Sequence, residues 1–120
     1  MNTILYIVLA LAAAYFLYSR LAGGGVPSIS NNEIKELRAQ HPNLEIIDVR
    51  TPQEIAGGKM KGAHEINFMS SDFQKRISKL PKDRPYLVYC RSGRRSAGAC
   101  SVMLKQGFEQ VYNLSGGYGG

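Results

Sequence analysis

A cysteine that ends an apolar run, followed at once by a glycine-containing turn and three arginines, has the makings of a nucleophile. Tyr86-Leu87-Val88-Tyr89-Cys90 reads as a buried strand, Arg91-Ser92-Gly93-Arg94 as a tight loop, and a helix follows through Met103 and Leu104 to a stop at Gly107. At the carboxyl end of a parallel strand the sulfur faces unpaired N–H groups of the loop and of the next helix. Arg91, Arg94 and Arg95 add positive charge. Each effect favours thiolate, so Cys90 is expected to titrate below a free cysteine, about 8.5. The bland alternative is a buried structural cysteine, but three arginines after a glycine turn are poor surroundings for an inert core thiol. Cys100 reads the other way. It sits three residues after Ala97 and four before Leu104, on a core stripe about two helical turns from the loop, too far for a disulfide with Cys90.

The elements that would position Cys90 alternate between strand and helix. Ser30-Asn31-Asn32-Glu33 has the form of a capping box, with Ile34 and Leu37 as the buried stripe of a short helix ended by His41-Pro42-Asn43. Leu44 to Val49 is a near-continuous apolar run, as suits a parallel strand covered on both faces. Thr51-Pro52-Gln53-Glu54 is a second capping box with proline at the first helical position, and Gly57-Gly58 stops that helix. A brief strand is expected around Glu65 to Phe68. A helix capped by Ser71 should carry Phe73, Ile77 and Leu80, and a last strand should run from Gln110 to Leu114. The pattern predicts an α/β domain with a mostly parallel central sheet flanked by helices on both faces.

With 120 residues there is room for one such domain. The uncharged, apolar stretch from Ile4 to Tyr18, extended by Leu21 and Ala22, is read as a transmembrane anchor over residues 1–22. A cleaved signal peptide would want a Lys or Arg before the run, and Asn2-Thr3 offers neither. Residues 23–27, with Gly23-Gly24-Gly25, are expected to form a hinge, and 28–120 the domain. Arg20, Lys35 and Arg38 lie on the C-terminal side of the apolar run and no Lys or Arg on its N-terminal side, which would make a single-pass membrane protein with its domain in the cytoplasm. The net charge is +6, and ten Lys or Arg face three acids (Glu65, Asp72, Asp83) between Lys59 and Arg95. For an anchored chain anionic lipid explains that surplus better than nucleic acid, and an anionic substrate explains the arginines nearest Cys90. Two cysteines and two histidines, His41 and His64, make neither a disulfide framework nor metal-ligand spacing; neither metal nor cofactor is expected.

Four blocks in register carry a resemblance. They are Asp48-Val49-Arg50-Thr51-Pro52-Gln53-Glu54, Gly62-Ala63-His64-Glu65-Ile66-Asn67, Tyr89-Cys90-Arg91-Ser92-Gly93-Arg94-Arg95-Ser96, and Leu114-Ser115-Gly116-Gly117. In this order and spacing the chain resembles single-domain rhodaneses, which are sulfurtransferases. The resemblance implies that Cys90 attacks the outer sulfur of a small anionic donor such as thiosulfate and becomes a persulfide. A thiol, possibly a protein thiol, or cyanide then removes that sulfur. It implies that the amides of Arg91, Ser92, Gly93, Arg94, Arg95 and Ser96 cradle the sulfur and that the three arginines bind the donor's anionic part. Asp48 would support the loop, and Arg50 would support it or bind donor; a salt bridge tying two strand ends is the plain alternative for both. His64 reads as a strand-start residue and His41 as a bystander.

Two other classes compete. Phosphatases and arsenate reductases of the same fold carry loops of the form Cys-x5-Arg, whereas the seventh position here is Ser96 and the arginine comes one residue early at Arg95. The shorter loop suits a sulfur atom better than a phosphate. A membrane-tethered sulfur-relay or docking module without turnover is the second alternative.

Overall fold

The computed structural model describes residues 2–21 and 26–119, so the Gly23-Gly24-Gly25 hinge lies outside the described residues. The middle of the sheet is built from the two apolar runs at 44–49 and 85–90. β2 (Glu45–Asp48) and β4 (Pro85–Tyr89) lie side by side at its middle, and every residue of β4 is buried. Alternation sends Tyr86, Val88 and Cys90 to one face and Leu87 and Tyr89 to the other, which is why an unbroken apolar run is needed. β1 (Ser28–Ile29), β3 (His64–Glu65) and β5 (Gln110–Leu114) complete the order β1-β5-β4-β2-β3, parallel throughout.

Helices cover both faces, as the alternating pattern predicts. α4 (Phe73–Ser78) and α5 (Arg94–Lys105) bring Phe73, Ile77, Ala99, Cys100 and Met103 onto Ile47, Val88 and Val111. α2 (Ile34–Gln40), entered through a single 3-10 turn at Asn31–Glu33, brings Leu37 onto Ile46, Leu87 and Leu114. The Ser30 box forms, the Ser30 N–H donating to the Glu33 carboxylate at 3.0 Å. The second box also forms, at the start of α3 (Pro52–Ala56), where Thr51 Oγ1 accepts the Glu54 N–H at 3.3 Å and Gly57 ends the helix.

The chain runs outward from β2 to β3, then returns to β4 and continues to β5 on the other side. The carboxyl ends of β2 and β4 therefore flank the point where the winding reverses, the usual place for a ligand in such a sheet. Asp48 ends one of these strands and Cys90 follows the other.

Several expectations need correction. α1 (Asn2–Leu21) is helical and its side chains from Asn2 to Tyr15 are exposed, but among the described residues no helix is long and apolar enough to cross a membrane. The uncharged stretch Ile4–Tyr18 covers about 22 Å at 1.5 Å per residue, short of a hydrocarbon core of about 30 Å, and Ser19-Arg20 interrupts its extension. The anchor falls, and with it the membrane partner and the cytoplasmic, single-pass placement inferred from it. The strand expected from Glu65 to Phe68 pairs as a strand only at His64–Glu65. Beyond it, Ile66 and Phe68 still donate to Asp48 O and Val49 O at 2.9 and 3.0 Å. Asp72, not Ser71, occupies the N-cap of α4, and Ser70 Oγ bonds its carboxylate. β1 is an addition, held by Asn113 N–H to Pro27 O and Ser115 N–H to Ile29 O, both at 2.9 Å.

Candidate active site

Cys90 leaves the buried strand just before a turn that only glycine makes cheaply. Gly93 has φ +91°, and a Cβ there would lie 2.5 Å from Ser115 O. The turn folds the loop back over the sulfur, so the Gly93 N–H points at Cys90 Sγ at 3.1 Å. α5 begins at the next residue. Its first-turn amides have no acceptor within the helix, and that of Ser96 turns to Sγ at 3.4 Å. Ser96 Oγ lies at the same distance. Cys90 itself is fully buried.

Burial is the largest influence on this thiol and pushes its pKa up. The Ser96 hydroxyl and the amides of Ser96, Ser92 and Gly93 together outweigh it, leaving Cys90 below its ordinary value. The direction expected from the sequence holds, but its principal source is the loop's hydrogen bonds. Cys100 lacks such donors. Burial, and then the nearby Cys90 charge, push it up to about 12, which keeps it a neutral core thiol. Both cysteines are free.

The arginines divide into two kinds. Arg91 and Arg94 are exposed, and among the described residues no carboxylate pairs with either. Arg95 instead makes a two-pronged pair with Glu54, Nη1 to Oε1 at 2.7 Å and Nη2 to Oε2 at 2.9 Å. That contact, with help from Thr51 and against burial, holds the Glu54 carboxyl down at about 2. Glu54 thereby closes the cap of α3 and fastens the start of α5 to it.

From β2, Asp48 and Arg50 form a buried pair at 2.8 Å. Arg50 Nη2 also donates to Gly58 O at 2.6 Å, and its guanidinium lies 4.2 Å from the centre of the Tyr118 ring and 5.6 Å from that of Tyr89. Tyr118 stacks on Tyr89, and its N–H donates to Cys90 O at 2.8 Å. Ser92 is exposed on the loop, and Gly93 and Ser96 are buried beneath it. Away from the loop, His64 pairs with Glu45 at 3.1 Å and His41 bonds the Tyr112 hydroxyl at 3.2 Å.

Three contributors escape a reading by sequence alone. Glu54 is visible as a cap, not as the partner of Arg95. Gly117, at φ +65°, lets the tail pass so close that a Cβ would stand 2.2 Å from Arg91 O. Asn113, buried on β5, donates through Nδ2 to Gly93 O at 3.1 Å and accepts the Ser96 hydroxyl at Oδ1 at 2.5 Å. The signal that could have found it is an amide set between Val111 and Leu114 in an apolar strand, where a buried polar group needs partners.

Comparison with known proteins gives the family. The Rhodanese-like domain family matches residues 30–120. A protein of Allochromatium vinosum named Sulfurtransferase is 37% identical over 92 residues, covering 77% of this chain and 84% of that one. Thiosulfate sulfurtransferase GlpE of Pseudomonas aeruginosa is 33% identical over 91 residues, covering 75% and 78%. Among solved structures, reduced Bacillus anthracis CoADR-RHD superimposes with a TM-score of 0.69 at 26% identity, over 87% of this chain and 18% of that much longer one. The family match spans the whole segment that carries the Cys90 loop, and the chain belongs to the rhodanese-like domain family.

Proposed function

We propose that the domain spanning residues 28–120 is a sulfurtransferase that moves sulfane sulfur from thiosulfate or a persulfide donor to a thiol or cyanide through a persulfide on Cys90. One observation carries this reading: Cys90 Sγ, at the end of β4, already accepts two backbone N–H bonds, from Gly93 and Ser96. The thiolate attacks the outer sulfur of the donor. The new Sγ–S bond forms as the donor's S–S bond breaks, and with thiosulfate the leaving sulfite carries off the electron pair. An acceptor thiolate or cyanide then attacks the outer sulfur, and Cys90 leaves as thiolate. Electrons and atoms balance without a further oxidant or reductant.

The first-turn amides of Arg94 and Arg95, which have no acceptor within α5, would hold the outer sulfur. Arg91 and Arg94, exposed beside Ser92, supply charge for the donor's anionic end. Arg95 is engaged by Glu54 and Arg50 by Asp48, so both serve the loop's shape, as does Asp48. Arg95's engagement also argues against the oxyanion-loop enzymes of this fold, since the guanidinium that would face a phosphate is turned to a carboxylate.

Intact mass of the full chain before and after thiosulfate tests the proposal. The parent should gain one sulfur atom, lost again on adding cyanide or thiol, and Cys90→Ser should gain none while keeping its fold. A parent that stays unloaded with thiosulfate and with glutathione persulfide would falsify the transferase reading and leave a binding module.

A further inference from the structure

Asn113 sits behind the loop and touches it at two points. Its Nδ2 donates to Gly93 O at 3.1 Å, and a carbonyl can only accept, so the amide's orientation is set. Oδ1 therefore faces Ser96 Oγ at 2.5 Å. Oδ1 carries no proton, so the proton between these oxygens belongs to the Ser96 hydroxyl. That hydroxyl has one proton only, and Cys90 Sγ lies 3.4 Å away on its other side. While that proton points to Asn113 Oδ1, Ser96 turns a lone pair to the sulfur, which suits a thiol S–H; the hydroxyl's share in holding Cys90 below its ordinary value is delivered only when the proton turns to Sγ. To stabilise the thiolate, Ser96 must first release Asn113.

We infer that Asn113 is a positioning residue that sets the acidity of Cys90 by competing with its sulfur for the single proton of Ser96, while its amide group pins Gly93. The inference deepens the sulfurtransferase reading of this site and rests on it for its biological sense. Attack on a sulfur and departure from one make opposite demands on a thiol, since nucleophilicity falls as pKa falls and leaving ability rises. A proton that can be held back or given suits a sulfur doing both in turn.

The other charged or ionisable groups around the sulfur are Arg91, Arg94 and Arg95 on its own loop and helix, with Glu54 on Arg95. Cys100 lies on α5, and the Asp48–Arg50 pair with Tyr89 and Tyr118 stands at the ends of the neighbouring strands. All are retained in Asn113→Leu and Ser96→Ala, which add no charge, so a change in their titration reports the Ser96 proton. Cys100, pushed up to about 12, stays silent through neutral pH.

The test is a far-ultraviolet thiolate titration of the full chain as parent, Asn113→Leu, Ser96→Ala and the double variant. Freed of its competitor, Ser96 should donate to the thiolate. Asn113→Leu should then lower the Cys90 pKa by about half a unit to one unit, a roughly three- to tenfold rise in thiolate fraction below the midpoint. In the Ser96→Ala background the same substitution should do nothing. A folded Asn113→Leu protein that titrates like the parent, or whose shift survives undiminished without Ser96, overturns the inference. Should Asn113→Leu not fold, Asn113→Asp keeps and strengthens the acceptor. It should raise the pKa, and part of that rise should vanish with Ser96→Ala; a rise indifferent to Ser96 overturns the inference equally. Sulfur loading of the parent, read by mass, is independent: if it fails while the titration cycle behaves as described, the transferase reading falls and the Asn113 competition stands.

Discussion

Burial alone would leave Cys90 an ordinary core thiol like Cys100; the difference between the two is the Ser96 hydroxyl and the loop amides that face one and not the other. That contrast makes a test. Cys100→Ser places a hydroxyl among Ala99, Met103 and Val111 and should cost about 1–3 kcal/mol of stability by denaturant unfolding, with sulfur loading of the folded protein unchanged. Equal loss of loading would give Cys100 a role in the chemistry. The Glu54–Arg95 pair makes a second. The folded-state pKa of Glu54 is held at about 2, below its ordinary 4.5. A depressed carboxyl stabilises the fold above the unfolded-state pKa, and this contribution is lost as pH falls from there toward 2. Glu54→Gln should therefore be less stable than the parent at neutral pH by about 1–2 kcal/mol, discounted because the pair is partly exposed. The two stability curves should converge between pH 4.5 and about 2. A constant gap across that range would mean that the carboxylate's charge contributes nothing.

Among the elements, those with long apolar runs and caps are legible in the sequence itself. Ile46, Ile47 and Val49 announce β2, and Thr51-Pro52 with Glu54 announces α3, because these signals are local. β1 is illegible because two residues carry no period; it exists through its pairing with β5. The site divides in the same way. The Cys90 loop reads directly from seven consecutive residues. Asn113 and Tyr118 reach it only because β5 lies beside β4, and Glu54 because α3 packs near the start of α5. The tail after β5 is the least obvious support and the easiest to test. Gly117→Ala asks a side chain to occupy φ +65° and the space of Arg91 O, so the loop must shift. We expect persulfide formation to slow at least tenfold, since small misplacements of reacting groups cost that much. Loading at the parent's rate in stopped-flow would show that the tail does not hold the loop.

Across the whole molecule, the apolar residues at the N-terminus promise more than they deliver, and of the three arginines expected to serve a donor, Arg95 is instead paired with Glu54 while Arg91 and Arg94 are exposed. Fifteen uncharged residues from Ile4 to Tyr18 make a helix but fall short of a bilayer's depth. Of the charges behind the +6 balance, Arg91 and Arg94 are exposed on the loop that buries the Cys90 sulfur. If they gather an anionic donor, the rate of loading by thiosulfate should fall as salt rises, and Arg91→Ala with Arg94→Ala should flatten that dependence. An unchanged salt slope in the double variant would assign the attraction elsewhere. The placing of Asn113, Gly117 and Tyr118 behind the loop also has a consequence for birth of the protein on the ribosome. Synthesis delivers the cysteine before these three supports. Until residue 118 has emerged, the Cys90 loop lacks the contacts of Asn113, Gly117 and Tyr118, so the pocket around this thiol is completed late in the synthesis of the domain.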